Sequence, residues 1–178
     1  MKKLFTIILI LIAVFGLYFF FTRDTSVNLP GQSNPNETGS SFRPDPSNAT
    51  YIFDDGSITL SSGSRVTSSG EEVSVLEERA YGDLNGDGKE DVALLLSRFG
   101  GGSGVFISAG AYISGPVNYR GTNTIFLGDR VSPQSITISN GVITVNYLER
   151  SEDEPFSAEP TIPASKQLML QNGELVER

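Results

Sequence analysis

Ile136-Thr137-Ile138-Ser139-Asn140-Gly141-Val142-Ile143-Thr144-Val145 reads as two strands joined by a two-residue turn. A type I′ turn needs positive φ at both central residues, which Asn and Gly tolerate, and its twist matches that of the flanking strands. With Asn140-Gly141 at the corner, Ile138 faces Ile143 and Ile136 faces Val145, so one face of the pair is wholly apolar. The same test on Asn172-Gly173 sets Leu170 against Leu175. On Asp55-Gly56 it sets Phe53 against Ile58 and Tyr51 against Leu60. Three turns that each give a consistent face predict antiparallel β structure.

Between these hairpins, residues 73–82, 91–98, 104–113 and 123–127 are strand-like, with short apolar runs separated by Gly, Asn and Asp. Residues 92–96, Val-Ala-Leu-Leu-Leu, are apolar on both faces and belong in the middle of a sheet. No segment after Phe21 has a helical period. Residues 51–178 are therefore expected to form a single all-β domain of roughly eight to ten strands, an antiparallel sandwich or a curled sheet.

The central strand is preceded by Gly82-Asp83-Leu84-Asn85-Gly86-Asp87-Gly88-Lys89-Glu90-Asp91. Asp83, Asn85 and Asp87 alternate in a Gly-bearing turn, so their oxygens can converge on one point, and Asp91 can close the shell from the far side. Hard oxygen ligands at that spacing suit Ca²⁺. Three carboxylates in one turn repel each other without a cation, which favours the metal over a tight Asx-rich turn that binds nothing.

This loop resembles the calcium loops of FG-GAP repeats in integrin-type propellers, D-x-[DN]-x-D-G-x-x-D followed by an apolar strand. The resemblance covers residues 83–91 only, because the motif occurs once and the domain is too short for several blades. An EF-hand would need a carboxylate at the twelfth position, which is Leu94. The resemblance implies side-chain ligands from Asp83, Asn85, Asp87 and Asp91 and a backbone carbonyl from Lys89. Residues 82–96, taken with 100–106, Phe126-Leu127-Gly128-Asp129-Arg130 and Glu154-Pro155-Phe156, also resemble an uncharacterised domain of bacterial envelope proteins. That resemblance implies an extracytoplasmic setting and no particular activity.

The rest of the chain supplies an address. Met1-Lys2-Lys3 precedes an uncharged apolar run over residues 4–21, near the ~17 to 25 residues that span a bilayer. Phe19-Phe20-Phe21-Thr22-Arg23 offers no small-residue cleavage site, so an uncleaved anchor over residues 1–23 is preferred to a removable signal. Lys2 and Lys3 on the short side put the amino terminus in the cytoplasm. The expectation is a single-pass protein of the cytoplasmic membrane with its carboxy-terminal domain outside. Residues 24–50, rich in Ser, Asn, Pro and Gly, read as a flexible linker; Asn36-Glu37-Thr38 and Asn48-Ala49-Thr50 fit the N-glycosylation pattern within it.

Composition excludes much else. The 178 residues hold no Cys and no His, with a formal net charge of -8. That removes disulfides, thiolate sites, the usual general base and the Ser-His-Asp and Cys-His arrangements. The acidic balance argues against a nucleic-acid partner. Gly100 to Gly102 lack the Lys-Ser/Thr and the helix of a phosphate loop, and read as a flexible hairpin connection. The preferred function is a calcium-stabilised binding or structural module of the envelope, with an envelope protein or a glycan as its possible partner. The competing classes are an inhibitor or adaptor of another envelope protein, and a small glycoside hydrolase using Asp129 and Glu154, a chemistry that needs two carboxylates and no His.

Overall fold

The computed structural model describes residues 43–155 and 157–178. The expected membrane anchor at 1–23 and most of the expected linker at 24–50 lie outside these residues. Phe42–Arg178 forms one compact unit. Its twelve described strands are β1 (Thr50–Phe53), β2 (Gly56–Thr59), β3 (Ser64–Val66), β4 (Glu72–Gly82), β5 (Asp91–Phe99), β6 (Val105–Ile113), β7 (Arg120–Gly121), β8 (Ile125–Asp129), β9 (Ser132–Ser139), β10 (Val142–Glu149), β11 (Ile162–Gln171) and β12 (Glu174–Glu177). The number exceeds the expected eight to ten because β3 and β7 are only 3 and 2 residues long.

The domain is all-β and its sheets are antiparallel. One sheet has the order β12-β11-β10-β9; a second runs β3-β4-β5-β6-β7, with β8 also paired to β6; β1 and β2 form a separate hairpin. Both Asn-Gly turns hold the expected register, Ile138 opposite Ile143 and Leu170 opposite Leu175. Asn140 and Gly141 sit at φ 51 and 73, Asn172 and Gly173 at 53 and 84, as a type I′ turn requires.

Two sequence expectations need correction. The first hairpin turns at Asp54-Asp55 rather than Asp55-Gly56, so Tyr51 pairs with Ile58 and Phe53 with Gly56. Gly56 takes φ 144 as the first residue of β2, a conformation open to Gly at little cost. The slip is two residues, so the same side chains still face inward. The other correction is the linker boundary, because residues 43–50 fold with the domain. Asp45 caps the 3-10 turn Pro46–Asn48 by accepting the Ser47 N–H at 3.0 Å, and Pro46 and Ala49 are buried. Residue types that make a flexible linker also make good caps and turns.

The six-stranded sheet is apolar on both faces. Across its inner face, Ala93, Leu95, Ile107 and Ala109 pack with Ile143, Val145 and Leu168 of the four-stranded sheet. Across its outer face, Val92, Leu94 and Leu96 pack with Tyr51, Phe53 and Leu60 of the hairpin layer. β5 thus lies centrally, as its double-sided apolar run predicts. Along β4, residues 76–78 form a bulge opposite Leu95, with Val75 paired to Leu96 and Arg79 to Leu94. Two extra residues preserve the alternation, so Ala80 returns to the inner face.

Candidate functional site

The loop between β4 and β5 is organised by its own side chains. Asp83 accepts the N–H of Gly86 at 2.6 Å and of Gly88 at 2.9 Å. Asn85 accepts from the Asp87 N–H and Asp87 from the Lys89 N–H, each at 2.9 Å. Gly86 and Gly88 sit at φ 78 and 81, which curls the backbone so that these alternate residues fold back onto it. Asx turns of this kind follow directly from the D-x-N-x-D spacing.

Asp91 behaves differently. It is fully buried, and its two oxygens accept the N–H of Leu84 at 2.8 Å and of Ser114 at 2.7 Å. One carboxylate therefore pins the loop's beginning and the chain after β6 to the first residue of β5. Hydrogen bonds from N–H groups to a carboxyl are strong, and here they hold both oxygens of a buried side chain in place.

Residues far along the chain complete the surroundings. Ser114 donates its hydroxyl to Asp87 at 2.7 Å, while Asn85 donates to the Ser114 carbonyl and hydroxyl at 2.9 and 3.0 Å. The Ser114 hydroxyl, followed by the Lys89 N–H, holds the Asp87 carboxyl below its ordinary value. Tyr119 donates to the Glu90 carbonyl at 2.9 Å. Burial, then the charges of Asp91, Asp87 and Glu90, push its phenol up. Glu90 keeps one carboxylate oxygen, Oε2, buried without a hydrogen-bond partner. Lys89 places its ammonium 3.6 Å from Asp87, leaving its backbone carbonyl as the candidate donor.

The loop thus brings together Asp83, Asn85, Asp87, Lys89 and Asp91, together with Glu90, Ser114 and Tyr119, which sequence reasoning missed. Ser114 and Tyr119 carry no local signal, since only the β5–β6 pairing returns them to this end of the sheet. Glu90 could have been found as an acidic neighbour within the loop. Among the described residues no three acidic side chains already close around one point as a metal cage. All six aspartate oxygens of the loop are turned instead onto N–H groups or the Ser114 hydroxyl, and each retains a second lone pair.

Asp129 and Glu154 both line a second cleft of about 450 Å³, with Glu149, Arg150 and Glu152. Asp129 accepts the Val105 N–H at 2.8 Å and pairs with Arg130 at 3.4 Å. Glu154 accepts the Ser151 N–H at 3.0 Å within its own turn. Arg150 donates to the carbonyls of Ala158 and Arg130, fastening this acidic loop to the β8–β9 connection. No family model, no curated protein and no solved structure matches the chain.

Proposed function

We propose that this chain is an extracytoplasmic, membrane-anchored β domain whose 83–91 loop takes Ca²⁺, serving as a binding or structural module of a cell envelope. The observation that carries the metal is the buried, unpartnered oxygen of Glu90, the residue that precedes Asp91 in a loop with three aspartates. A buried carboxylate oxygen without a partner is costly, and a divalent cation is the natural group to satisfy it. The remaining lone pairs of Asp83, Asn85, Asp87 and Asp91 and the Lys89 carbonyl supply further oxygens of the type calcium prefers.

The ion's role is architectural. It would fix the loop to the start of the central strand and stabilise the fold by mass action, because only the folded loop presents these oxygens together. Extracellular modules of this kind bind with Kd of about 10⁻⁴ to 10⁻³ M, so calcium at about 1 mM contributes roughly 0.4 to 1.4 kcal/mol. The anchor rests on the apolar run at 4–21 without a cleavage site, and the envelope setting on the resemblance described above.

The test is a melt of the full chain in calcium and in chelator. Calcium should raise the melting temperature, and magnesium should do so poorly because it demands a tighter octahedral shell. Asp87→Ala should abolish the increment, whereas Asp129→Ala should leave it intact. Absence of both binding heat and a melting shift at millimolar calcium would overturn the metal reading. The glycosidase reading ranks below it because Asp129 is paired with Arg130 and neither Asp129 nor Glu154 has a motif behind it.

A further inference from the structure

Register places Arg98, Phe106, Ser108 and Phe126 on one face of the central sheet. Arg98 pairs with Phe106, and Ser108 lies between Leu96 and Phe126; this is the face that the β1–β2 hairpin covers. The hairpin strands are 4 residues long and β5 and β6 are 9, so part of the face stays open. An uncovered strip of sheet would ordinarily carry polar side chains. Here it carries Phe106 and Phe126, 44% and 52% exposed, with ring centroids 6.3 Å apart.

These rings wall a cleft of about 330 Å³ between the sheet and the hairpin turn, with Asp54, Asp55, Glu71, Arg98 and Ser108 among its lining. Arg98 is the one cation in that lining, and it is already committed. It donates to both oxygens of Asp55 at 2.8 and 2.6 Å and to Glu71 at 2.8 Å. Asp54 is exposed and makes no hydrogen bond or ion pair among the described residues. Three carboxylates against one guanidinium leave the cleft net negative. Ser108, a lining residue only 7% exposed, has a hydroxyl with no partner among the described residues.

We propose that this cleft binds an alkylammonium group, with the methylene chain lying across the Phe106–Phe126 pair and the ammonium on Asp54 and the Ser108 hydroxyl. Anions are disfavoured by the carboxylates, and a purely apolar ligand would leave Ser108 unsatisfied. Aromatic faces, an unpaired carboxylate and an unpartnered acceptor hydroxyl together suit a cation with an apolar stem. The source is either a lysine side chain of a partner polypeptide or a free polyamine. The inference deepens the binding-module reading and shares no residue with the calcium loop.

The experiment is an NMR titration of the full chain with cadaverine, with a lysine-bearing pentapeptide and with neutral pentanol. The ring protons of Phe106 and Phe126 should move with an ammonium probe and not with pentanol. Asp54→Asn and Phe126→Ala should each weaken binding about three- to tenfold. Both sites are exposed, and a cooperative melt within a few degrees of wild type confirms that each variant is folded. Response to the peptide alone identifies a polypeptide source, and response to cadaverine a free amine. Asp87→Ala and chelator should leave the titration unchanged, so failure of the calcium reading is seen separately. Rings unmoved by either ammonium probe, equal shifts with pentanol, or wild-type binding by both variants would overturn the proposal.

Discussion

The two faces of the six-stranded sheet solve the same problem with unequal means. The inner face meets a second sheet whose strands β9, β10 and β11 are 8 to 10 residues long, and its core is continuous from Ala80 to Ile113. The outer face meets a short hairpin, so its core ends at Leu96 and Phe53 and gives way to the Phe106–Phe126 cleft. Coverage, rather than the apolar character of the sheet, decides where a core stops and an open cleft begins.

The sharpest way to break this comparison is to truncate the two faces at adjacent positions. Leu95 faces inward and Leu94 outward, and both are fully buried. If each layer is a true core, Leu95→Ala and Leu94→Ala should each cost about 2 to 5 kcal/mol in denaturant unfolding. Phe126→Ala, on the uncovered strip, should cost about 1 kcal/mol or less. A Leu94→Ala loss as small as that of Phe126→Ala would show that the hairpin rests on the sheet without forming a core.

A smaller effect should separate the layers locally. A Cβ on Gly121 would lie 2.2 Å from the Thr50 carbonyl oxygen, so β1 can approach β7 only because that position is Gly. Beside it, the Ile52 N–H donates to the Thr122 carbonyl at 3.1 Å and the Thr124 N–H to the Ile52 carbonyl at 2.8 Å. Gly121→Ala should push β1 outward at a cost of about 1 to 3 kcal/mol. Hydrogen exchange should show faster exchange at the amides of Ile52, Leu60 and Thr124 with β10 unchanged. Uniform loss across both sheets would mean that the layers unfold as one unit.

The same asymmetry explains what the sequence could and could not disclose. Asn140-Gly141 and Asn172-Gly173 were legible because a type I′ turn demands positive φ at both residues and few residue types supply it. Asp54-Asp55-Gly56 offered two corners, and the pattern of inward residues is identical for both, so the face was readable and the register was not. The bulge at residues 76–78 left no pattern for the same reason, since two inserted residues restore the alternation. The Asx turns of residues 83–91 are local chemistry and were legible. Ser114, Tyr119 and the cleft residues Arg98, Phe106 and Phe126 depend on pairing between distant strands and on the length of a separate hairpin, which no local window contains.

The smallest expected effect concerns acid and again tests the outer layer. Arg98 joins the hairpin turn to the sheet through Asp55 and Glu71, and lies 5.7 Å from the Phe53 ring. Hydrogen bonds from Arg98 hold the Asp55 and Glu71 carboxyls below their ordinary values of 3.8 and 4.5, and the two carboxylates push the guanidinium up. A carboxyl whose folded value is depressed binds fewer protons folded than unfolded near its ordinary value. Its stabilisation is therefore complete above that value and is lost as pH falls through the depressed one. The Asp55 side chain is 59% exposed, so solvent screening limits its part to about 0.5 kcal/mol. The melting-temperature gap between wild type and Arg98→Gln should hold steady between about pH 7 and pH 5, then narrow as pH drops below the ordinary carboxylate values. Exchange at Ile52 and Leu60 should accelerate in acid before exchange in β10, because the Asp55 arm of the network ties the hairpin to the sheet and no arm reaches β10. A gap that persists undiminished in acid would assign the contribution of Arg98 to its packing on Phe53 rather than to its charge.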